Sequence, residues 1–483
     1  MKYADDSLAL HTDLYEINMA YTYWKKDFAD SNAVFEVYYR DNPFGMGYTV
    51  FAGLERVVKY INELAFSESD IEYLRNELNF EEDFLDYLKK WKFRGTVRAM
   101  VEGELAFANE PLIQVEGPIL DCQLIETALL NVINYQTLIA TKASKIKTAA
   151  QNDIVMEFGA RRAQEMDASV WGARAAYIGG ADSTSHTRAA KLFGIPASGT
   201  HAHALVQAYR DEYLAFKAYA ETHRDCVFLV DTINSIESGV PNAIRVADEM
   251  GDKINFLGVR LDSGDLSYQS KRVRELLDKA GYKDAKIFAS NDLDANTILS
   301  LKMQGAKIDV WGVGTKMITA YDQPALGAVY KIVSVEGPDK EMHHTLKLTA
   351  NAEKITTPGK KQVWRIRSKN NTKPEGDLIT LDHERPDQLD ELFMFHPQYT
   401  YINKTVRDFT ARPLLRDIFV DGELVYDLPE LDEIKKYTKQ QLAEQYEEHR
   451  RILNPEQYPV DLSQELYDAK VETINYFREL NQK

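Results

Sequence analysis

Cysteine is nearly absent: Cys122 and Cys226 are the only two in 483 residues, and no C-x-x-C spacing joins them. This excludes a disulfide framework and a cysteine zinc site, and it fits a reducing compartment. Positive charge is also in short supply. With 58 Lys and Arg against 75 Asp and Glu, the formal net charge is -17, so nucleic acid and anionic membrane surfaces would be repelled and neither is expected as a partner. No run approaches the ~18 apolar residues that span a bilayer. The amino-terminal MKYADDSLAL has two acids ahead of a short apolar stretch, the wrong order for a secretory signal, so a cytoplasmic location is expected. Internal repeats and low-complexity segments are lacking too.

What is present is the material of a folded enzyme. A hydrophobic content of 44% supplies ample surface to bury, and the length calls for two or three domains, or one large barrel with appendages. Leu14, Ile17, Tyr21 and Trp24 recur at helical spacing, with Thr12 placed as an N-cap and Asp13 and Glu16 in the first turn. The strings NAVFEVYYRDNPF and GTVRAM and the segment Val101 to Val115 read as strands, and Gln123 to Lys145 as a helix. Residues 1–145 are therefore expected to form a mixed α/β domain.

From Asp153 to Val335 the pattern becomes a regular alternation. The apolar runs IVMEF, AAYIG, CVFLV, NFLGV, KIFAS and IDVWGV, with a weaker GIPAS, are separated by amphipathic stretches. Parallel neighbours need long return connections, so the alternation predicts an α/β fold whose centre, residues 146–350, is an irregular, incomplete α/β barrel. Residues 351–483 are read as a carboxy-terminal extension: strands returning to the amino-terminal domain, then charge-rich helices beyond Pro429.

Each run is followed by a polar or glycine-rich string: GARR, GADSTS, GTHAH, DTINS, RLDSGD, NDLDAN and GTK. At the carboxyl ends of parallel strands such strings share one rim with helix amino termini, which favours one anion-binding site. In RLDSGD, Arg260 can offer a planar fork to a carboxylate, and Asp262 and Asp265 can accept ribose hydroxyls or magnesium-bound water; the bland alternative is a helix-capping turn with one salt bridge. Ser290, then Gly312, Gly314 and Thr315, end two further strands, where backbone amides can approach a phosphate, or where ordinary glycine turns sit. Phe158 can stack on an aromatic ring and Arg161 can meet anions, unless the ring is core and Arg161 and Arg162 are merely solvated. His201 and His203 open a helix, poorly placed for a core and well placed for phosphate or proton transfer; their i, i+2 spacing argues against a metal pair.

These strings resemble nicotinate phosphoribosyltransferases. The likeness runs from HTDLYEINMAYTYW to about Ile332 through FEVYYRDNPFGMGYTVFAGLE, EFGARRAQEMDASVWGARAAYIGGADSTS, ASGTHAHALVQAY, RLDSGDL and VWGVGT. The resemblance implies a type II phosphoribosyltransferase barrel acting as a homodimer with shared active sites. It implies condensation of nicotinate with phosphoribosyl pyrophosphate, assisted by ATP and magnesium. By motif, Tyr15 and Phe158 would sandwich the pyridine ring, Tyr15 coming from the neighbouring subunit, while Thr200 and Arg260 would bind nicotinate. Arg161, Asp231, Ser290, Gly312, Gly314 and Thr315 would bind the phosphoribosyl and pyrophosphate groups. Asp262 would position ribose or magnesium, and His203, three residues after Thr200, would be the phosphorylated histidine. The acid-versus-amide position falls at Asp182 or Ser183, and no metal ligand is assigned.

Three other readings stand beside this one. The nicotinamide and quinolinate phosphoribosyltransferases share the fold family. A barrel aldolase could use Lys316 as a Schiff-base nucleophile. A catalytically silent binding barrel is the third, against which the set Arg260, Asp262 and His203 speaks.

Overall fold

The computed structural model describes residues 6–348 and 355–480. The expected boundary at 350–351, like MKYAD at the amino terminus, lies outside the described residues. Contacts divide the chain into two compact units, residues 138–324 and residues 1–137 with 325–483. The fold is α/β, and the incomplete barrel is the first of these units.

Its strands are short, apolar and rich in β-branched residues: β1 (Ile154–Glu157), β2 (Ser183–Thr184), β3 (Asp225–Leu229), β4 (Asn255–Leu261), β5 (Lys286–Ala289) and β6 (Val310–Val313). Every neighbouring pair is parallel, in the order β2-β1-β6-β5-β4-β3. That is the order of a ring cut between β2 and β3. GIPAS fills part of the gap, since Ala197 bridges Thr184 in parallel and Ser198 N–H donates to Thr184 O at 3.0 Å. Among the described residues no ladder continues from there to β3.

Helices return the chain between strands: α1 (Glu165–Ile178), α2 (Thr187–Phe193), α3 (His203–Tyr209), α4 (Glu212–Thr222), α5 (Val240–Met250), α6 (Leu266–Lys279), α7 (Ala295–Met303) and α8 (Thr315–Ile318). Asp211, Asp265 and Asp294 cap α4, α6 and α7 by accepting the N–H groups of Leu214, Tyr268 and Thr297. These caps offset orphan donors of the first turn, and Asp265 thereby takes the bland role considered for it. The AAYIG run is a correction, for it forms the end of α1 and the neighbouring strand is Ser183–Thr184. Residues 172 to 178 are buried on every side of that helix, and a helix buried all round shows the same continuous apolar run as a buried strand.

In the other unit a seven-stranded antiparallel sheet runs in the order Met342–His344, Val329–Glu336, Asn32–Tyr38, Ile113–Pro118, Thr96–Ala99, Arg416–Val420, Glu423–Leu424. A six-stranded sheet is built on Lys361–Ser368 and Pro374–Leu381, with Trp364, Ile366, Leu378 and Met394 in its core. The helix Leu14–Lys25 begins one residue later than its pattern suggested. Asp13 holds the N-cap position, and Thr12 donates its hydroxyl to Glu16. Leu14 faces solvent, while Glu16, Ile17 and Ala20 are buried. A buried carboxyl on that face is unreadable from hydrophobic spacing, because its partners, Thr12 and Thr127, lie outside the helix.

Arg365 is fully buried in the six-stranded sheet. Its guanidinium meets Asp377 at 2.7 Å and Glu104 at 2.5 Å and donates to Leu105 O at 2.7 Å. Arg365→Met would leave buried Asp377 without its cation and Glu104 with Arg412 alone, at 2.9 Å, a loss of about 3 to 5 kcal/mol. The expected result is a clearly lower urea midpoint for unfolding; an unchanged midpoint would show that the network carries no net stability.

Candidate active site

Arg260 lies next to last in β4, opposite Leu229 of β3 and Phe288 of β5. Its guanidinium donates from Nε to Ser290 Oγ at 2.8 Å, from Nη1 to Thr200 Oγ1 at 3.1 Å and from Nη2 to Asp262 Oδ1 at 2.8 Å. Three loops therefore converge on one side chain that is only 14% exposed. A guanidinium has five N–H groups; these three bonds leave one free on each terminal nitrogen, the pair that a carboxylate takes in fork geometry. Burial by itself would raise the Asp262 carboxyl, but the Ser290 hydrogen bond and the Arg260 charge outweigh it and hold the group below its ordinary value.

Phe158 follows β1 and lies 5.5 Å from the Arg260 guanidinium. Its ring occupies the space that a side chain at Gly312 would need, since a Cβ there would come within 2.7 Å of Phe158 Cδ2. The turn after Phe158 is held by Glu157, a buried carboxyl that accepts from Gly159 N–H and, at 2.6 Å, from Thr184 Oγ1. Burial raises that carboxyl, with both hydrogen bonds opposing the rise. Sequence reading missed Glu157, although it directly precedes Phe158 in EFGARR.

His203 is the first residue of α3. Its Nδ1 pairs with Thr232 Oγ1 at 3.0 Å, a partner from DTINS that sequence reading also missed. Its Nε2 faces two carboxylates, Asp262 Oδ2 at 3.7 Å and Asp231 Oδ1 at 4.0 Å. Asp231 is fixed through its other oxygen, which accepts from the Asp262 backbone N–H at 2.9 Å and from Ser263 Oγ at 2.6 Å. Asp231 Oδ1 is buried and has no hydrogen-bond partner among the described residues. A buried unpaired carboxylate oxygen is costly unless something completes it.

His201 corrects the expectation that neither histidine belongs to the core. It is buried against Phe216, Tyr219 and Phe228, and its Nε2 accepts the Leu229 N–H at 3.1 Å. That N–H lies on the open edge of β3, so His201 stands where a ladder bond would be. Burial lowers its pKa, and an Nε2 that accepts places the proton on Nδ1, toward Ala202 O at 3.3 Å.

The remaining residues divide. Arg161 is exposed after β1 and makes no ion pair among the described residues. Gly314 and Thr315 begin α8, with Thr315 half-buried. Next to Ser290, Asn291 and Asp292 hold positive φ values of 89° and 26°, the strained backbone that often marks a ligand loop. Asp182 is tied to Lys147 Nζ and Val155 N–H, both at 2.9 Å. Ser183 lies opposite Met156 in the ladder, two residues before Phe158, and its buried hydroxyl has no hydrogen-bond partner among the described residues. Lys316 pairs with Asp294 at 3.2 Å, the reverse of the isolated apolar setting a Schiff-base lysine needs. Tyr15 belongs to the other unit and is 48% exposed on its helix; burial of its hydroxyl and the charge of Glu126 raise its pKa. Among the described residues no group of three or more histidine, cysteine or acidic side chains could hold a metal, and no helix is long and apolar enough to cross a membrane.

Comparison with known proteins agrees along the whole length. The model of the nicotinate phosphoribosyltransferase (NAPRTase) N-terminal domain matches residues 10–134, that of the NAPRTase family residues 154–369, and that of the C-terminal domain residues 360–470. A nicotinate phosphoribosyltransferase of Bacillus subtilis is 56% identical over 473 residues, covering 98% of this chain and 96% of its own. One from Dictyostelium discoideum is 37% identical over 95% of this chain and 87% of its own. The crystal structure of human nicotinic acid phosphoribosyltransferase is similar with a TM-score of 0.84 at 30% identity, covering 95% of this chain and 99% of that one.

Because the Phe158 ring fills the space at Gly312, Gly312→Ala should push it off its seat while leaving the barrel folded. A few tenths of an ångström of misplacement at a stacking face is expected to raise the KM for the aromatic substrate roughly tenfold or more. Steady-state kinetics with a melting curve checks this, and an unaltered KM would show that the Phe158 position does not matter.

Proposed function

The chain belongs to the nicotinate phosphoribosyltransferase family, and from that premise we propose how its barrel rim performs the reaction. Nicotinate displaces pyrophosphate from the ribose carbon of phosphoribosyl pyrophosphate, giving nicotinate mononucleotide for NAD salvage. The observation that carries the assignment of residues is a convergence. A guanidinium with two spare N–H groups, an aromatic face and an imidazole beside two carboxylates meet at one rim.

In this reading the nicotinate carboxylate docks on Arg260 and Thr200, and its ring lies on Phe158, where stacking adds about 0.5 to 1.5 kcal/mol beyond burial. The acid-versus-amide position is Ser183. Its hydroxyl is neutral and unspent, whereas Asp182 already serves Lys147 and the β1 backbone. Pyrophosphate departure leaves positive charge on the ribose ring, and Asp262 and Asp231 are the carboxylates that stabilise it. The pyridine nitrogen is itself the nucleophile, so no general base is required. Arg161, Ser290, Gly312, Gly314 and Thr315 serve the phosphoribosyl and pyrophosphate groups.

Magnesium fits the donor set, because the unpartnered Asp231 oxygen and Asp262 Oδ2 supply the one or two carboxylates that this ion takes together with substrate phosphates. Bound there, it would neutralise charge on the leaving pyrophosphate. ATP phosphorylates His203. With the Nδ1 proton donated to Thr232, Nε2 attacks the terminal phosphorus, the bond to the bridging oxygen breaks, and ADP leaves. Hydrolysis of the phosphohistidine couples ATP to the condensation. The enzyme is cytoplasmic, and Tyr15, half-exposed on its helix, completes the pyridine sandwich in the partner of a homodimer.

Label from ATP carrying a radioactive terminal phosphate should appear, as an acid-labile adduct, on the wild type and on any folded His201→Ala protein, but not on His203→Ala. His201→Ala should instead lose stability, since it unseals β3. Label that persisted on His203→Ala would sink the assignment. Mixing inactive Tyr15→Ala and His203→Ala subunits should restore part of the activity through one intact composite site; heterodimers without any activity would rule out sharing.

A further inference from the structure

The unit of residues 1–137 and 325–483 contains an open cavity of about 650 Å³, lined among the described residues by that unit. Its volume lies within the range of small-molecule sites, and Ile379, Leu462 and Ile474 give it apolar walls. Three cations, Arg40, Lys361 and Lys470, face it with two carboxylates, Glu36 and Asp41. Lys361 and Glu36 are both buried and pair at 2.8 Å, and Lys361 also donates to Thr357 O at 2.7 Å and Gly359 O at 2.8 Å. That pair is spent on the fold.

Arg40 and Lys470 are not. No carboxylate pairs with either among the described residues, and Arg40 Nε is buried with no hydrogen-bond acceptor.. Lys470 makes a single hydrogen bond, to Thr357 Oγ1 at 3.1 Å. Burial, with repulsion from Lys361 added, lowers its pKa to about 8. His396 adds a donor: its Nδ1 accepts from the backbone N–H groups of Gln398 at 3.1 Å and Tyr399 at 3.0 Å, which puts its own proton on Nε2. Two partly buried cations, one of them resting over the Tyr38 ring at 5.8 Å, with no carboxylate partner among the described residues carry a desolvation cost that an anion would remove.

We propose that this cavity is a ligand site for a phosphate monoester with an apolar or aromatic body, the phosphate seated on Lys470 with Arg40 as the second cation. A phosphate supplies acceptors to every unspent donor, and the aliphatic wall takes the body. The proposal stands or falls without the reading given for the barrel rim.

Calorimetric titration of the full-length protein with phenyl phosphate and with inorganic phosphate tests it, in the wild type and in Lys470→Met, Lys470→Arg and Arg161→Ala. Phenyl phosphate should bind wild type and Arg161→Ala alike, weaken roughly tenfold or more in Lys470→Met, and recover in Lys470→Arg. It should bind more tightly than inorganic phosphate; equal affinity would overturn the apolar subsite and so the ligand class. An unchanged melting temperature without ligand shows that Lys470→Met still folds. Binding that survives Lys470→Met, or that is lost in Arg161→Ala, would overturn the proposal.

Discussion

The barrel is open, and its site depends on how the opening is managed. Between GIPAS and β3 there is no ladder among the described residues, and the exposed edge of β3 would leave its Leu229 N–H without an acceptor. His201 supplies one from its side chain, anchored among Phe216, Tyr219 and Phe228. A buried N–H left unpaired costs roughly as much as a lost hydrogen bond, so this contact replaces a strand at small expense in residues. It also fixes the chain direction at Thr200 and His203, one residue before and two after. Thr200 reaches Arg260, and His203 turns out toward the carboxylates.

Arg260 is the second point of order. Its bonds to Ser290, Thr200 and Asp262 tie the ends of β4 and β5 to the GTHAH loop before any substrate arrives. Preorganisation of this kind means that little reorganisation is left for binding. It also answers a difficulty set by composition. A chain with a formal net charge of -17 repels anions through its global field, so the proposed substrates call for local cations. Arg260 is the less exposed candidate; Arg161 stands exposed after β1 and makes no ion pair among the described residues.

Much of the fold was legible. Alternating apolar runs and amphipathic stretches carry the parallel barrel because crossover geometry leaves few alternatives, and polar rim strings marked the candidate site because strand ends share one face. AAYIG was misread, since a helix buried on all sides and a buried strand show the same run of apolar letters. Glu157 and Thr232 were passed over because nothing local distinguishes a glutamate that holds a turn, or a threonine that orients an imidazole, from their neighbours. The aspartates of RLDSGD illustrate the same limit. Asp262 faces His203 while Asp265, three residues on, caps α6, and both roles suit an acid after a strand.

By itself, then, the sequence determined the class of fold and membership of the nicotinate phosphoribosyltransferase family, and it pointed to the strand ends as the candidate site, because these follow from periodicity, composition and contiguous motifs. Only the tertiary structure decided which members of those motifs face the rim. His201 and His203 are two residues apart in one string, yet one is sealed into the barrel seam and the other stands between two carboxylates. Asp182 and Ser183 are adjacent, yet one is bound to Lys147 and the other keeps a buried hydroxyl unspent. The reason is physical: backbone geometry assigns a direction to each side chain, but the partner waiting there comes from residues tens to hundreds of positions away.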